Sequence, residues 1–267
     1  MRGRGGAKRG MTAIEALAKS CPVPFVQGDD YTGRGKILVL YGGGAPDRQA
    51  AMRQHRGTWL ALDLGYWNRD ATMRVSINSL HPTPDLMRDF GPERFAASGL
   101  KLREDADPAG PIIIIGMANK SRETHGGGWE RRALERVRAV YPSRSVVFRP
   151  KNRSDSVPMP GCQLSDPTRP IVEVLRGASL VVCRHSNVAV DACLAGVPVV
   201  CEDGAARALY GCDLAAPINP SAAARLAFLE RLAWWQWNFD ELKRGVFWNW
   251  LQQLVPFEST AAADGIR

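Results

Sequence analysis

Between Pro111 and Asp203 the sequence alternates short apolar runs with helix-patterned segments, and this alternation restricts the fold more than any other feature. "PIIIIGM" has the pattern of a buried strand. "GGGWERRALERVRAVYP" has that of a helix, with Trp129, Ala133, Val137 and Val140 on one face and an end before Pro142. "SVVFRPK" is a strand that runs out into Arg149, Pro150 and Lys151, and "DPTRPIVEVLRGA" is a helix entered through Asp166-Pro167-Thr168. "SLVVC" is a strand, "NVAVDACLAG" a helix closed by Gly196, and "VPVVCED" the next strand. Strands joined through helices run parallel, and the ligands of such sheets bind beyond the carboxyl ends of the strands.

The flanking regions are less regular. "KILVLYGGG" is a strand from Ile37 to Tyr41 that feeds three glycines. Gly43 among them lets backbone approach a phosphate or acceptor closely, although a plain turn accounts for the same residues. "TWLALDLGYW" is a second strand with Asp63 at its carboxyl end, and "MRVSINSLHPTPDLM" carries a strand over Arg74 to Ile77 and a loop from His81. "LREDADPAGP" is polar and turn-rich, as a linker between lobes would be. "SAAARLAFLERLAWWQWNFDELKRGVFWNWL" suggests two helices, the second beginning near Asn238, with apolar faces that include Leu232, Trp235, Phe239, Leu242, Phe247 and Trp250. These aromatics are either a stacking surface for nucleic acid or core. Their helical spacing favours core, in helices that pack back on the first lobe and clamp the two halves. The expected organisation is a flexible basic tail and lead-in over 1–35, an N-terminal lobe over 36–107, a C-terminal lobe over 108–220, and returning helices over 221–267.

Composition sets outer limits. With 267 residues and 45% hydrophobic content the chain can bury one large core or two small ones, two compact lobes being the expectation, which excludes a disordered or fibrous protein. No apolar run approaches the roughly 20 residues that cross a bilayer, and "MRGRGGAKRGMTAIEALAKS" lacks the apolar segment of a signal peptide, so a cytoplasmic location is expected. The cysteines form no CxxC pair, and Cys183, Cys193 and Cys201 sit inside apolar runs. Reduced thiols and no structural zinc are expected. Arg2, Arg4, Lys8 and Arg9 supply four of the net +8 charges. The basic excess suits a polyanion such as nucleic acid or a nucleotide, and equally a soluble basic surface.

The stretch "RHSNVAVDACLAGVPVV", residues 184 to 200, concentrates the chemistry. If "SLVVC" is a strand and a helix begins near Ser186 or Asn187, the free N–H groups of the first turn point out of the carboxyl edge of the sheet, where donors and the positive end of the helix dipole coincide. Ser186 and Asn187 are both good N-cap residues. Asp191 lies about one turn further in, where a carboxylate can accept hydrogen bonds from a ribose diol. An ordinary capped helix with one early acid fits the spacing equally well.

The longer run "EVLRGASLVVCRHSNVAVDACLAGVPVV" resembles the nucleotide-sugar-binding lobe of GT-B fold glycosyltransferases. The resemblance covers about residues 110 to 210. It implies an α/β fold of two Rossmann-like lobes facing a cleft, with the C-terminal helices packing back on the N-terminal lobe. It also implies a nucleotide-sugar donor, a UDP-sugar first among them. Its diphosphate would lie on His185, Ser186, Asn187 and the backbone of Val188, and its ribose on Asp191. "VVFRPK" is similar to the family strand that ends in basic residues near the phosphates, which adds Arg149 and Lys151. "LDLGYWNRD" and "MRVSINSLHP" are similar to short glycosyltransferase-like proteins of bacteriophages, some of which modify hydroxymethylated bases in phage DNA. That likeness implies DNA as the acceptor, a host cytoplasm as the location, and no membrane partner. Two departures limit the transfer. The chain is shorter than most members, and Asp191 stands where most relatives carry glutamate, one methylene longer.

Sugar transfer needs a held donor, a stabilised leaving diphosphate and, in an inverting enzyme, a base. Arg149, Lys151 and the helix mouth can neutralise the diphosphate, so no obligatory metal is expected. Asp105-Ala106-Asp107 matches the acidic motif of metal-dependent GT-A enzymes, but it precedes Pro108 in a polar segment and has the character of a solvated turn. The base is expected from the N-terminal lobe: Asp63 first, because a strand end delivers it, then His81, with Asp70 a further candidate. Arg69 and Arg74 contact DNA phosphate or are solvated, and the loop "GMANKSRETHGGG" would shape specificity for the donor nucleobase. The same fold can instead serve a polysaccharide, lipid or small-molecule acceptor, or a non-catalytic nucleotide- or DNA-binding protein.

Overall fold

The computed structural model of the chain describes residues 3–23, 33, 35–43 and 45–255, with side chains from Gly10 onward. Two compact units result, one formed by Met1–Pro82 with Trp234–Arg267 and the other by Thr83–Ala233. Among the described residues no helix is long and apolar enough to cross a membrane.

The first unit opens with α1 (Gly3–Ser20), β1 (Ile37–Tyr41), α2 (Pro46–Gln54), β2 (Thr58–Leu64) and β3 (Thr72–Ile77). The segment expected as a flexible tail is helical instead. Ala13, Ala16 and Leu17, at helical spacing, are buried and give α1 an apolar stripe to pack with. Ser20 donates to the carbonyl of Leu242 at 2.6 Å, and Trp248 Nε1 donates to the carbonyl of Leu17 at 3.1 Å. Arg2 and residues 24–32 and 34 of the expected lead-in lie outside the described residues. β1 and β2 are parallel, with α2 as the crossover, whereas β2 and β3 are antiparallel. The connection between β2 and β3 turns at Asn68, whose φ of 47° is one that asparagine tolerates, and the Asn68 carbonyl accepts from Ala71 N at 2.8 Å.

The second unit contains α3 (Glu93–Ala97), β4 (Ile112–Ile115), α4 (Asn119–His125), α5 (Trp129–Val140), β5 (Val146–Arg149), β6 (Gln163–Leu164) and α6 (Ile171–Leu175). β7 (Leu180–Cys183), α7 (Val188–Ala195), β8 (Val199–Cys201), α8 (Arg207–Tyr210) and α9 (Ala222–Ala233) follow. Its five strands are all parallel in the order β6-β5-β4-β7-β8, so the winding reverses between β4 and β7. Trp129, Ala133 and Val137 of α5 pack with Ile112, Ile114 and Phe148 in one core, while Val140, the last helical residue, is 39% exposed.

Residues 102–111 are not a linker, because 83–233 is a single unit. Arg103 N and Asp105 N donate to the carbonyls of Leu194 and Ala195 at 2.8 and 2.7 Å, and Asp107 N donates to Ala178 at 3.1 Å. The polar stretch is therefore a backbone strap that supplies donors to the carboxyl end of α7, where a helix leaves carbonyls unmatched.

From Trp234 the chain returns to the first unit as β9 (Gln236–Asn238), α10 (Phe239–Lys243) and α11 (Val246–Leu251). β9 pairs antiparallel with β3 and completes a mixed sheet in the order β1-β2-β3-β9. Trp235, Trp237, Trp248 and Trp250 are buried, so they are core and not a stacking platform for bases. Asn238 caps α10 reciprocally: its side chain accepts from Glu241 N and the Glu241 carboxylate accepts from Asn238 N, both at 2.8 Å. Asn238→Ala is expected to cost about 1 kcal/mol in urea denaturation with the m-value unchanged.

Candidate functional site

At the carboxyl edge of the five-stranded sheet, β7 ends in the buried Cys183 and the chain turns through Arg184, His185 and Ser186 into α7. Asn187 is already helical in φ and ψ, and the hydrogen bond that caps α7 comes from the residue before it, with Ser186 Oγ accepting from Val188 N at 3.2 Å. Asp191 lies in the first turn, partly exposed, with its N–H donating to the Asn187 carbonyl at 3.3 Å. Gly196 ends the helix at φ 75°, and a Cβ there would lie 2.6 Å from the Arg103 carbonyl, so a side chain would be both strained and blocked.

α4 follows β4, and it meets the turn after β7 at the point where strand order reverses. Ser121 Oγ lies 3.2 Å from His185 Nε2, and the His125 and His185 rings are 5.3 Å apart. His185 Nδ1 is buried without a hydrogen-bond partner. Burial, followed by the charges of His125, Lys151 and Arg184, lowers the His185 pKa to about 4, with Asp203 opposing. His125 is also lowered, by burial and then by Arg184, again with Asp203 opposing. Asp203 is itself paired with Arg184 at 3.2 Å. Two imidazoles kept neutral by burial first and by nearby cations second mark a place with room for negative charge.

This neutrality makes stability depend on pH. The unfolded chain binds a proton at His185 below about pH 6.5, whereas the folded protein refuses it until about pH 4. Stability is therefore expected to fall as pH drops through that window, by up to about 3 kcal/mol at its lower end. Denaturation of His185→Gln between about pH 7.5 and about pH 4.5 should show a shallower decline than the parent. Equal declines would dismiss the assignment.

The other expected site residues are distributed differently. Lys151 is exposed on the segment after β5 and close enough to act on His185. Arg149 ends β5, but its guanidinium donates to the carbonyls of Asp166, Pro167 and Arg169 at 3.1, 3.2 and 2.7 Å. It braces the 166–169 loop, and burial holds its pKa below the ordinary arginine value. Gly43, in the first unit, is buried where a Cβ would lie 2.2 Å from Leu80 Cδ2, so its smallness serves packing; Gly44 lies outside the described residues.

Asp63 and His81, also in the first unit, meet the same guanidinium. Arg74 Nη2 donates to Asp63 Oδ2 at 2.9 Å, and Arg74 Nη1 lies against His81 Nδ1 and 3.1 Å from its Nε2. Arginine can only donate, so a ring nitrogen of His81 that pairs with it does so as an acceptor. Arg74 is 8% exposed, packs 5.7 Å from the Tyr66 ring, and is neither a surface cation nor a free phosphate contact. Asp70 is exposed near the turn between β2 and β3, and Arg69 Nε donates to the Tyr66 carbonyl at 3.2 Å. In the second unit Asp105 pairs with Arg103 at 2.8 Å, and Asp107 Oδ1 accepts from Ala109 N in a turn. Among the described residues no group of three or more His, Cys, Asp or Glu is placed to hold a metal ion.

Ser121 and His125 did not stand out in the sequence. The segment that reads as a loop is the helix α4, which buries none of its residues and therefore shows no apolar period. Only its position directly after β4 marks it.

No protein-family model matches the sequence, and no curated protein matches it. Solved structures do. The beta Kdo 2,4 transferase of KpsC from Thermosulfurimonas dismutans superposes with a TM-score of 0.50 at 13% identity, over 83% of this chain and 87% of that one. The beta Kdo 2,7 transferase of the same protein gives 0.51 at 14% identity, over 88% and 95%. At these identities the likeness is one of fold, and the fold is one that glycosyltransferases use.

Proposed function

We propose that the chain is a glycosyltransferase whose second unit holds a nucleotide-sugar donor at the carboxyl edges of β4 and β7. One observation carries this: at the reversal of strand order, where parallel sheets bind ligands, a capped helix mouth, two neutral imidazoles, Arg184 and Lys151 converge while Asp191 lies one turn further along α7. The phosphates are assigned to His185, Ser186, Asn187, the backbone of Val188 and Lys151, and the ribose diol to Asp191. Arg149 is assigned to the loop it braces. In the transfer the bond from the anomeric carbon to the phosphate oxygen breaks, the acceptor oxygen bonds to that carbon, and the acceptor proton passes to a base. The departing phosphate charge is met by fixed donors and cations, which stabilise it without rearranging. Asp63 is the proposed base and His81 the second candidate, with Arg74 holding both.

The proposed acceptor is a hydroxymethylated base in phage DNA, supported by the net +8 charge and the N-terminal sequence likeness. A second reading is favoured by the structural neighbours, both of them Kdo transferases: a Kdo-type donor and a saccharide acceptor. A panel of nucleoside phosphates and nucleotide sugars, followed by melting temperature, tests the donor site. A selective rise that Asp191→Ala and Lys151→Ala both lose is expected, because a ligand that binds only the folded protein stabilises it. No rise with any nucleotide would end the proposal. Turnover assays on DNA bearing hydroxymethylated bases and on saccharides then separate the acceptors. Asp63→Asn should lose turnover while keeping the donor-dependent rise.

A further inference from the structure

We propose that His125 and His185 form a two-imidazole clamp for a ligand oxyanion, and that seating the anion is coupled to proton uptake by the pair. The inference rests on the donor-site reading above and adds His125, Ser121 and a linked proton to it.

The two rings come from different elements, His125 from the end of α4 and His185 from the turn before α7, and stand 5.3 Å apart. Ser121 Oγ sits 3.2 Å from His185 Nε2 and orients that ring, which leaves Nδ1 buried and without a partner. A buried ring nitrogen with no partner is costly unless something else completes it. The charged groups that face the pair are Lys151 from the segment after β5, Arg184 from the same turn, and Asp203 from the segment after β8. Asp203 is the one acid among them and is paired with Arg184 at 3.2 Å, so the free site has a cationic surplus. Burial first, and then that surplus, under which protonating either ring adds repulsion, holds both imidazoles below their ordinary pKa. An arriving oxyanion reverses the sign of the local field, so each ring gains both a reason to take a proton and an acceptor for it. The protons come from solvent, no covalent bond changes, and the anion keeps its charge.

The test follows the imidazole resonances by NMR as pH is varied, in sulfate against chloride at equal ionic strength, and again with a uridine diphosphate sugar. Neither probe gains or loses a proton near neutral pH, so any uptake belongs to the protein. His125 and His185 are expected to rise in proton affinity by about tenfold or more, while His55 and His81, in the other unit, stay where they are. His125→Gln should weaken sulfate binding severalfold at about pH 6 and leave it nearly unchanged at about pH 8, a pH signature that loss of packing would not produce. A nucleotide sugar that raises the melting temperature without moving either titration would overturn the clamp and leave the donor site standing. Sulfate that moves both titrations while no nucleotide binds would support the clamp and sink the donor reading. Failure of both probes to bind would overturn both.

Discussion

Arg225→Ala is expected to lower the stability of the protein by about 2–4 kcal/mol. Arg225, on α9, is 2% exposed, and Nη1 donates to the carbonyls of Cys193 at 3.0 Å and Arg103 at 3.2 Å, while Nη2 pairs with the Glu104 carboxylate. The Glu104 side chain is 70% exposed, so water can take over the carboxylate, and the ion pair is not the main loss. The larger cost falls on the two carbonyls, Arg103 losing this donor and Cys193 keeping only the 3.3 Å bond from Gly196 N, with a buried carbonyl left unmatched worth about 1–3 kcal/mol, together with the space vacated by the side-chain stem. The guanidinium also joins the carboxyl end of α7 to the strap at Arg103, so it steadies the helix whose other end is the proposed phosphate site. Arg225→Lys should recover little, because one ammonium cannot reach three acceptors in that fork. Equilibrium denaturation checks this directly, and a loss below about 1 kcal/mol would show that the carbonyls find water or that the strap shifts to meet them.

The parallel unit was legible in the sequence because β4, β7 and β8 are buried on both faces and appear, with the half-buried β5, as unbroken apolar runs, "IIII", "LVVC", "VVC" and "VVF". Caps and stops then delimit the helices between them, as Gly196 does for α7. What escaped is explained by patterns that were absent or doubled. β9 is three residues of "WWQWNF" in which both Trp237 and the neighbouring Gln236 are buried, so neither a period of two nor a polar face announces a strand. Gln236 is inside because its side-chain oxygen accepts from Tyr66 N and Trp67 N at 2.5 and 3.1 Å, a long-range contact that no local window contains. The same holds for the strap at 101–107, whose donors serve carbonyls far along the chain. At the candidate site, the turn 184–187 and Asp191 could be read from the strand-turn-helix order. The deployment of Arg149 could not, because whether a strand-end guanidinium faces a ligand or the next loop depends on where that loop packs.

Trp237→Ala carries the other large expected effect, about 3–5 kcal/mol, and falls on the first unit. The Trp237 ring is fully buried, 5.5 Å from Phe247 and 5.3 Å from Trp250, and its backbone pairs with Met73 across the edge of the sheet. Truncation leaves a void against two rings that are themselves held by other aromatics, Trp250 by Trp235 at 5.0 Å and Phe247 by Trp248 at 5.3 Å, so the cavity cannot close cheaply. The second unit has its own core around Ile112, Trp129 and Phe148, and none of the aromatic residues around Trp237 belongs to it. The variant is therefore expected to lose stability while nucleotide affinity, measured by titration below the lowered melting temperature, stays within about twofold of the parent, as is usual for sites without shared partners. A loss of nucleotide affinity in step with the loss of stability would mean that the donor site depends on the first unit, and that the carboxyl edge of β4 and β7 is not sufficient for binding.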